Sequence, residues 1–238
     1  MIYSHIFDEA APLLENAEIQ DYILGLDYTA VKTDAGSGMA YTFRGELPMH
    51  KSARTMEEDL RGRNALETAE KYYFSENSFE AGIGLAIINS ALNNRTSTAE
   101  DFLRPETFRG KKVGMVGWFR PMLEMMGEAR AELKIFELKD IEGTYKPEAA
   151  AEIMPQCDVV MITGVTFINK TFHTYVPHIR KDAFRIILGP TTPMSVHLID
   201  AGWHLAGSKI LDFAAAADCI AHGLGTRNVK GAVEKIWI

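Results

Sequence analysis

From residue 112 onward, short apolar runs alternate with helical segments five times in succession, a rhythm that few folds accept. Lys112–Val116, Glu132–Leu138, Asp158–Thr163, Phe184–Leu188 and Lys209–Leu211 read as strands, and Gly231–Ile238 as a final edge strand. Pro121–Arg130, Pro147–Ile153, Ile168–Val176, Pro193–Asp200 and Ala214–His222 read as the helices between them. Strands this apolar need cover on both faces. Five βα units therefore predict an α/β fold, a doubly wound parallel sheet with helices on either side.

The chain ahead of this has a different texture. It opens with an amphipathic helix within residues 1–21, with Ile6, Ala10, Leu13 and Leu14 near one face. Tyr22–Lys32 and Met39–Arg44 read as two strands joined through Asp34–Gly38, a hairpin with a longer loop. Gly45–His50 reads as loop and Thr55–Lys71 as a polar helix. Glu80–Leu92 is a stronger helix, with Ile83, Ala86, Ile87 and Ala91 on one side and Ala81, Gly82 and Gly84 permitting close approach. The polar run Asn93–Thr98 marks the expected boundary between a small α+β domain, 1–95, and the α/β domain, 96–238.

Composition narrows the function classes. At 238 residues the chain buries a core without staples, and a net charge of −7 argues against a nucleic-acid partner, which would ask for a basic stripe. Two cysteines, Cys157 and Cys219, suit a reducing compartment and do not make a disulfide framework. No apolar run approaches the ~20 residues of a membrane span, and the N-terminus lacks the layout of a signal peptide. The expected location is cytoplasmic. A homo-oligomer suits an acidic α/β chain, but the sequence does not specify one.

In an open parallel sheet, ligands bind beyond the carboxyl ends of the strands, where the strand order reverses. After the first strand stand Gly117, Trp118 and Phe119, ahead of Pro121, which opens a helix. Glu137 ends the second strand, 23 residues after Gly114, at the spacing of an acid that binds ribose hydroxyls. Thr163, Gly164 and Thr166 follow the third strand, with Asn169 and Thr171 beyond them. Gly189, Pro190, Thr191 and Thr192 follow the fourth, with Thr192 as the expected N-cap, Pro193 at the first helical position and Thr191 free to face a cleft. Asp212 follows the fifth. In the first domain, Lys32 borders the hairpin, and Asn89 sits in the last helix, where a buried amide must find partners. The histidines show no ligand spacing. A divalent or heavy-metal ion would have to use oxygen ligands such as Glu137 and Asp212, gathered across loops.

The chain resembles a prokaryotic family of unknown function labelled a "putative heavy-metal chelation" domain. The resemblance rests on Gly84–Asn89, Val113–Phe119, the Glu137 strand end, Asp158–Gly164 with Asn169-Lys170-Thr171, and Leu188–Pro193. It implies an enolase-N-terminal-like domain followed by a Rossmann-like domain, with the site in the cleft between them. On that resemblance the site residues are Gly117, Phe119, Glu137, Thr163, Asn169, Gly189, Pro190 and Thr191, faced by Asn89 and Lys32. The expected function is the binding of a small molecule, a metal or a metal chelate. The alternatives are a nucleotide- or anion-binding enzyme or sensor, with phosphates at the helix starts, and an interaction module whose loops are merely well capped. No reaction is specified.

Overall fold

The computed structural model describes residues 2–46, 58–225 and 231–238; residues 47–50 of the expected loop and 55–57 of the expected helix lie outside these. Helix α1 (Ile2–Leu14) buries Tyr3, Ile6, Ala10 and Leu14 along one face. The stretch expected as a single strand, Tyr22–Lys32, breaks in two at Gly25, whose N–H donates to the Tyr28 carbonyl at 3.0 Å. The result is an antiparallel meander of β1 (Ile19–Leu24), β2 (Tyr28–Thr33) and β3 (Gly36–Tyr41), in that order. The β-type composition on both sides of Gly25 conceals the turn. The second turn is shorter than expected, only Asp34 and Ala35 between the paired Thr33 and Gly36.

Helix α2 (Ala65–Tyr73) begins later than composition suggests, because Asn64 stops it from extending backward. The Asn64 Oδ1 accepts the Glu67 N–H at 3.0 Å, the ordinary N-cap arrangement. Helix α3 (Ser78–Leu92) starts likewise at Asn77 and buries 14 of its 15 residues, all but Glu80. A helix apolar all round belongs inside a protein, so α3 has no solvent face. β3 crosses it at Gly38, where a Cβ would stand 2.2 Å from the Ser90 nitrogen; no other residue fits there.

After the short α4 (Pro105–Phe108) come β4 (Lys112–Val116), α5 (Arg120–Ala129), β5 (Glu132–Phe136), α6 (Ala150–Ile153) and β6 (Val159–Thr163). Next are α7 (Phe172–Tyr175), β7 (Phe184–Leu188), α8 (Val196–Asp200), β8 (His204–Ile210), α9 (Phe213–Ala221) and β9 (Val233–Trp237). The six strands form one sheet in the order β5-β4-β6-β7-β8-β9, parallel except for β9, which runs antiparallel along the edge. The doubly wound α/β architecture read from the sequence is the one observed. Val113, Met115, Val159, Met161 and Ile186 pack on one face with Phe108, Met122 and Met126. Val160, Ile162, Ile187 and Leu205 face the other way and join Ile6, Leu14, Ile83 and Ile87 in a single continuous core.

Three predicted helices of the α/β part are shorter in the structure, and Pro147–Ile153 keeps only the four residues of α6 after a 3-10 turn at Pro147–Ala149. Ile168–Val176 reduces to the single turn of α7, after a 3-10 turn at Gly164–Phe167. The helix expected from Pro193 begins at Val196, and its cap is Ser195, whose Oγ accepts the His197 N–H at 3.2 Å, not Thr192. The reason is that α3 holds the preceding residues in a non-helical path. Asn93 Nδ2 donates to the carbonyls of Thr192 (3.0 Å) and Ser208 (3.1 Å), and its Oδ1 accepts the Met194 N–H (3.0 Å). One turn earlier, Asn89 Nδ2 donates to the carbonyls of Met39 (2.9 Å) and Thr191 (3.2 Å). Glu9 of α1 anchors the far end, accepting from Ser195 Oγ at 2.5 Å, the Val196 N–H at 3.1 Å and Arg95 Nη2 at 2.8 Å. Asn93→Ala strips three buried backbone groups of their partners at about 1–3 kcal/mol each before relaxation. The variant is expected to lose about 3 kcal/mol, read as a lower urea midpoint at unchanged slope; an unchanged midpoint would contradict this role.

Candidate functional site

The strand order reverses between β4 and β6, and a cavity of about 530 Å3 opens beyond the carboxyl ends there. Its size falls in the range of small-molecule sites, roughly 300–1,000 Å3. Gly117 turns the chain after β4 at φ +96°, a left-handed conformation, and a Cβ on it would stand 3.1 Å from Thr163 Cγ2. The φ favours glycine, and a side chain there would also press on the Thr163 methyl group. The Gly117 N–H donates to the Phe136 carbonyl at 2.9 Å, which ties the turn to the end of β5. The Phe119 ring lies against Gly117 and Gly189 alike, at 3.4 and 3.6 Å from where their Cβ atoms would be.

Aromatic side chains make up much of the wall. Tyr28, Tyr41 and Phe43 come from the meander, where Tyr41 packs edge-on to Tyr28 at 6.5 Å and to Phe43 at 5.3 Å. Trp118, Phe119, Phe136 and Tyr175 come from the sheet side, with Phe136 and Tyr175 edge-to-face at 5.7 Å. Polar groups are fewer. Glu137 lines the cavity, and its Oε1 accepts the Lys139 N–H at 3.1 Å. Burial, together with the nearby Glu137 and Glu148 carboxylates, pushes the Tyr175 phenol up to about 12, so it stays protonated at neutral pH. Asn169 Oδ1 accepts from Thr171 Oγ1 at 2.7 Å and from its N–H at 3.3 Å.

Between these two, Lys170 adopts φ +59°, so its side chain leaves the cavity and enters the core. Its Nζ donates to the carbonyls of Tyr73 (2.6 Å) and Phe167 (3.2 Å) and lies 4.2 Å from the Tyr73 ring centroid. A strained backbone of this kind persists only where its surroundings hold it, and here the buried ammonium is the anchor.

Gly117, Phe119, Glu137, Thr163, Asn169, Gly189, Pro190 and Thr191 all line this one cavity. Other residues expected at the site are elsewhere. Lys32 is exposed on β2 and does not reach the cavity. Asn89 is fully buried behind the lining, holding Thr191 by its carbonyl. The Thr191 hydroxyl is not free as expected, because its Oγ1 accepts the Tyr41 N–H at 3.0 Å. Asp212 caps α9 through the Ala215 N–H at 3.1 Å. It follows β8, four strand spacings from β5, about 19 Å at about 4.8 Å per spacing, so it cannot share an ion with Glu137. The sequence does not single out the meander aromatics or Tyr175, and it marks Lys170 only as a member of the Asn169-Lys170-Thr171 motif. Tyr41 and Phe43, two apart in an extended segment, carried the available signal, since alternate residues share a face.

The comparisons with known proteins agree with this architecture. Residues 101–238, more than half of the chain, match the DUF364 family model, and residues 7–92 match DUF4213; both are described as "Putative heavy-metal chelation". The chain belongs to the DUF364 family. Solved structures from this family, both titled as of unknown function, superpose along its whole length. One from Desulfitobacterium hafniense has a TM-score of 0.83 at 25% identity, covering 100% of this chain and 97% of that one. One from Pyrococcus horikoshii has a TM-score of 0.81 at 22% identity, covering 100% and 99%. The "Uncharacterized protein MJ0500" of Methanocaldococcus jannaschii is 24% identical over 259 residues, 99% of this chain and 96% of that protein. Among the described residues, no helix is long and apolar enough to cross a membrane.

The family's description raises the question of a bound ion, and the residues present do not fit a bare one. Among the described residues, no three His, Cys, Asp or Glu side chains gather where they could hold a metal. Soft heavy-metal ions favour thiolate and imidazole ligands, whereas the described lining of this cavity offers one carboxylate (Glu137) and one ammonium (Lys139) among hydroxyls, an amide, aliphatic groups and aromatic rings.

Lys170 supplies a test of how the 169–171 turn is held. Burial pulls its ammonium from 10.5 to about 8, so between these values the unfolded chain binds the extra proton. Its contribution to stability therefore rises with pH across that window. The urea midpoint of the wild type relative to Lys170→Met is expected to climb from pH 8 to pH 10; a difference constant with pH would contradict the assignment.

Proposed function

We propose that the cavity binds a small organic molecule with a planar body, and that any heavy metal this protein handles enters held by such a molecule. One observation carries the reading. Among the described residues, seven aromatic side chains, one carboxylate and one ammonium (Lys139) line the cavity where four strand ends meet the meander. Ring faces and edges favour flat partners, while the few polar groups fix orientation. A chelate brings its own ligand atoms and asks the protein only for a shaped, partly apolar pocket. In this way the donor set and the family's description are compatible.

The test is equilibrium binding to the intact protein of a planar aromatic probe, 8-anilinonaphthalene-1-sulfonate, in parallel with Zn2+, Ni2+ and Cu2+ as bare ions. Expected is one probe per chain, weakened about 10-fold or more by Phe119→Ala and blocked by Val165→Trp, with no comparable binding of the ions. Stoichiometric uptake of a bare ion, abolished by Glu137→Gln while the probe fails to bind, would overturn the proposal.

A further inference from the structure

Within this cavity the polar groups have a direction. Glu137 stands just past β5, 20 residues beyond the Gly117 turn that ends β4. One of its oxygens accepts the Lys139 N–H, and Oε2 makes no hydrogen bond among the described residues. Tyr175 also lines the cavity, is 1% exposed, and its hydroxyl has no hydrogen-bond partner among the described residues. The Asn169 side-chain nitrogen is an amide donor also left without a partner there. A carboxylate acceptor and a phenol donor, both lining the same small volume, exclude most ligand classes. An anionic group can pair with Lys139, which also lines the cavity, but leaves Glu137 without a donor. An ammonium would satisfy Glu137 and leave the phenol proton without an acceptor. Adjacent hydroxyl groups answer both, because each hydroxyl donates and accepts. Burying such groups beside a ligand that lacks the match is costly. A carboxylate at the end of the parallel strand next to the glycine-turn strand is also the position from which ribose hydroxyls are bound in sheets of this type.

Taking the cavity as the ligand site, we infer that its occupant carries a ribonucleoside: the base lies among the aromatic side chains near Asn169, and the ribose hydroxyls hydrogen-bond to Glu137 and Tyr175. Flat bases stack on aromatic side chains irrespective of sequence identity, so the rings set the class of ligand and the diol sets its sugar. A free base offers Glu137 no sugar hydroxyl, and a 2′-deoxyribonucleoside offers only one of the adjacent pair that Glu137 and Tyr175 share.

The experiment is displacement of bound 8-anilinonaphthalene-1-sulfonate from the intact protein. The competitors are the four common ribonucleosides, their 2′-deoxy forms, the free bases, the 5′-monophosphates and catechol. At least one ribonucleoside is expected to displace the probe, with its 2′-deoxy form weaker by about 10-fold or more. Glu137→Gln, checked for an unchanged urea midpoint, should bring the two within about twofold while leaving the free base as before, and Tyr175→Phe should weaken the ribonucleoside alone. Binding of the monophosphate more tightly than the nucleoside would assign the ribonucleoside to a nucleotide, and equal binding to a free nucleoside. Equal affinity for ribo and deoxy forms, or displacement by catechol alone, would overturn the inference. A probe that binds in the cavity and yields to no nucleoside overturns this inference and leaves the planar-ligand reading standing. Failure of the probe to bind at all overturns both.

Discussion

Two amide side chains at the end of a helix without a solvent face hold this structure in register. Asn89 on α3 and Asn93, its C-cap one turn later, lie inside the core, where water is not available to satisfy the backbone groups they bind. Each buried carbonyl of the 191–194 segment that lost its partner would cost about 1–3 kcal/mol. The segment therefore follows α3 and does not enter a helix at Pro193. Because Asn89 also binds the Met39 carbonyl, and Thr191 accepts from Tyr41, the same contacts fix β3 against the ends of the parallel strands. The meander aromatics are where they are because of these hydrogen bonds.

The cavity is a consequence of what those ties leave unfilled. Its floor is made of turns that cannot collapse, since Gly117 already meets Thr163 and the Phe119 ring rests on two glycine backbones. At its side, Lys170 stores a left-handed backbone against a buried ammonium, so that Asn169 and Thr171 line the opening. The wall is rich in aromatic rings, and the only carboxylate among the described lining residues stands at a strand end. This arrangement discriminates by shape and by hydrogen-bond direction, with little net charge. It is poorly matched to a bare cation and well matched to a flat molecule with polar substituents at one edge.

Much of the fold was legible because it follows from period and punctuation. The apolar runs Val113–Val116, Val159–Ile162 and Phe184–Leu188 are short, hold a single charged residue (Arg185) and are bounded by turns, and such runs have few alternatives to parallel strands. Gly117, Glu137, Thr163 and Gly189 were legible for the same reason, since position after a strand predicts convergence at one rim. What stayed hidden depended on long-range partners. Thr192 has every local mark of an N-cap, but Asn93, 99 residues earlier, holds its carbonyl and moves the helix start to Ser195. Gly25 sits in a stretch whose composition reads as continuous strand. Asp212 looks like a spare carboxylate until the strand order separates it from Glu137, and Tyr175 ends a helix that turned out to be one turn long.

The interlock itself is open to direct measurement by amide hydrogen exchange in the wild type and in Asn89→Ala, under conditions where both remain folded. If one side chain ties β3 to the segment after β7, the amides of Tyr41 and of Thr191, Thr192 and Met194 must lose protection together and by similar factors, while those of β4 and β6 keep theirs. Loss of protection confined to one of the two segments, or spread evenly over the whole sheet, would contradict the account.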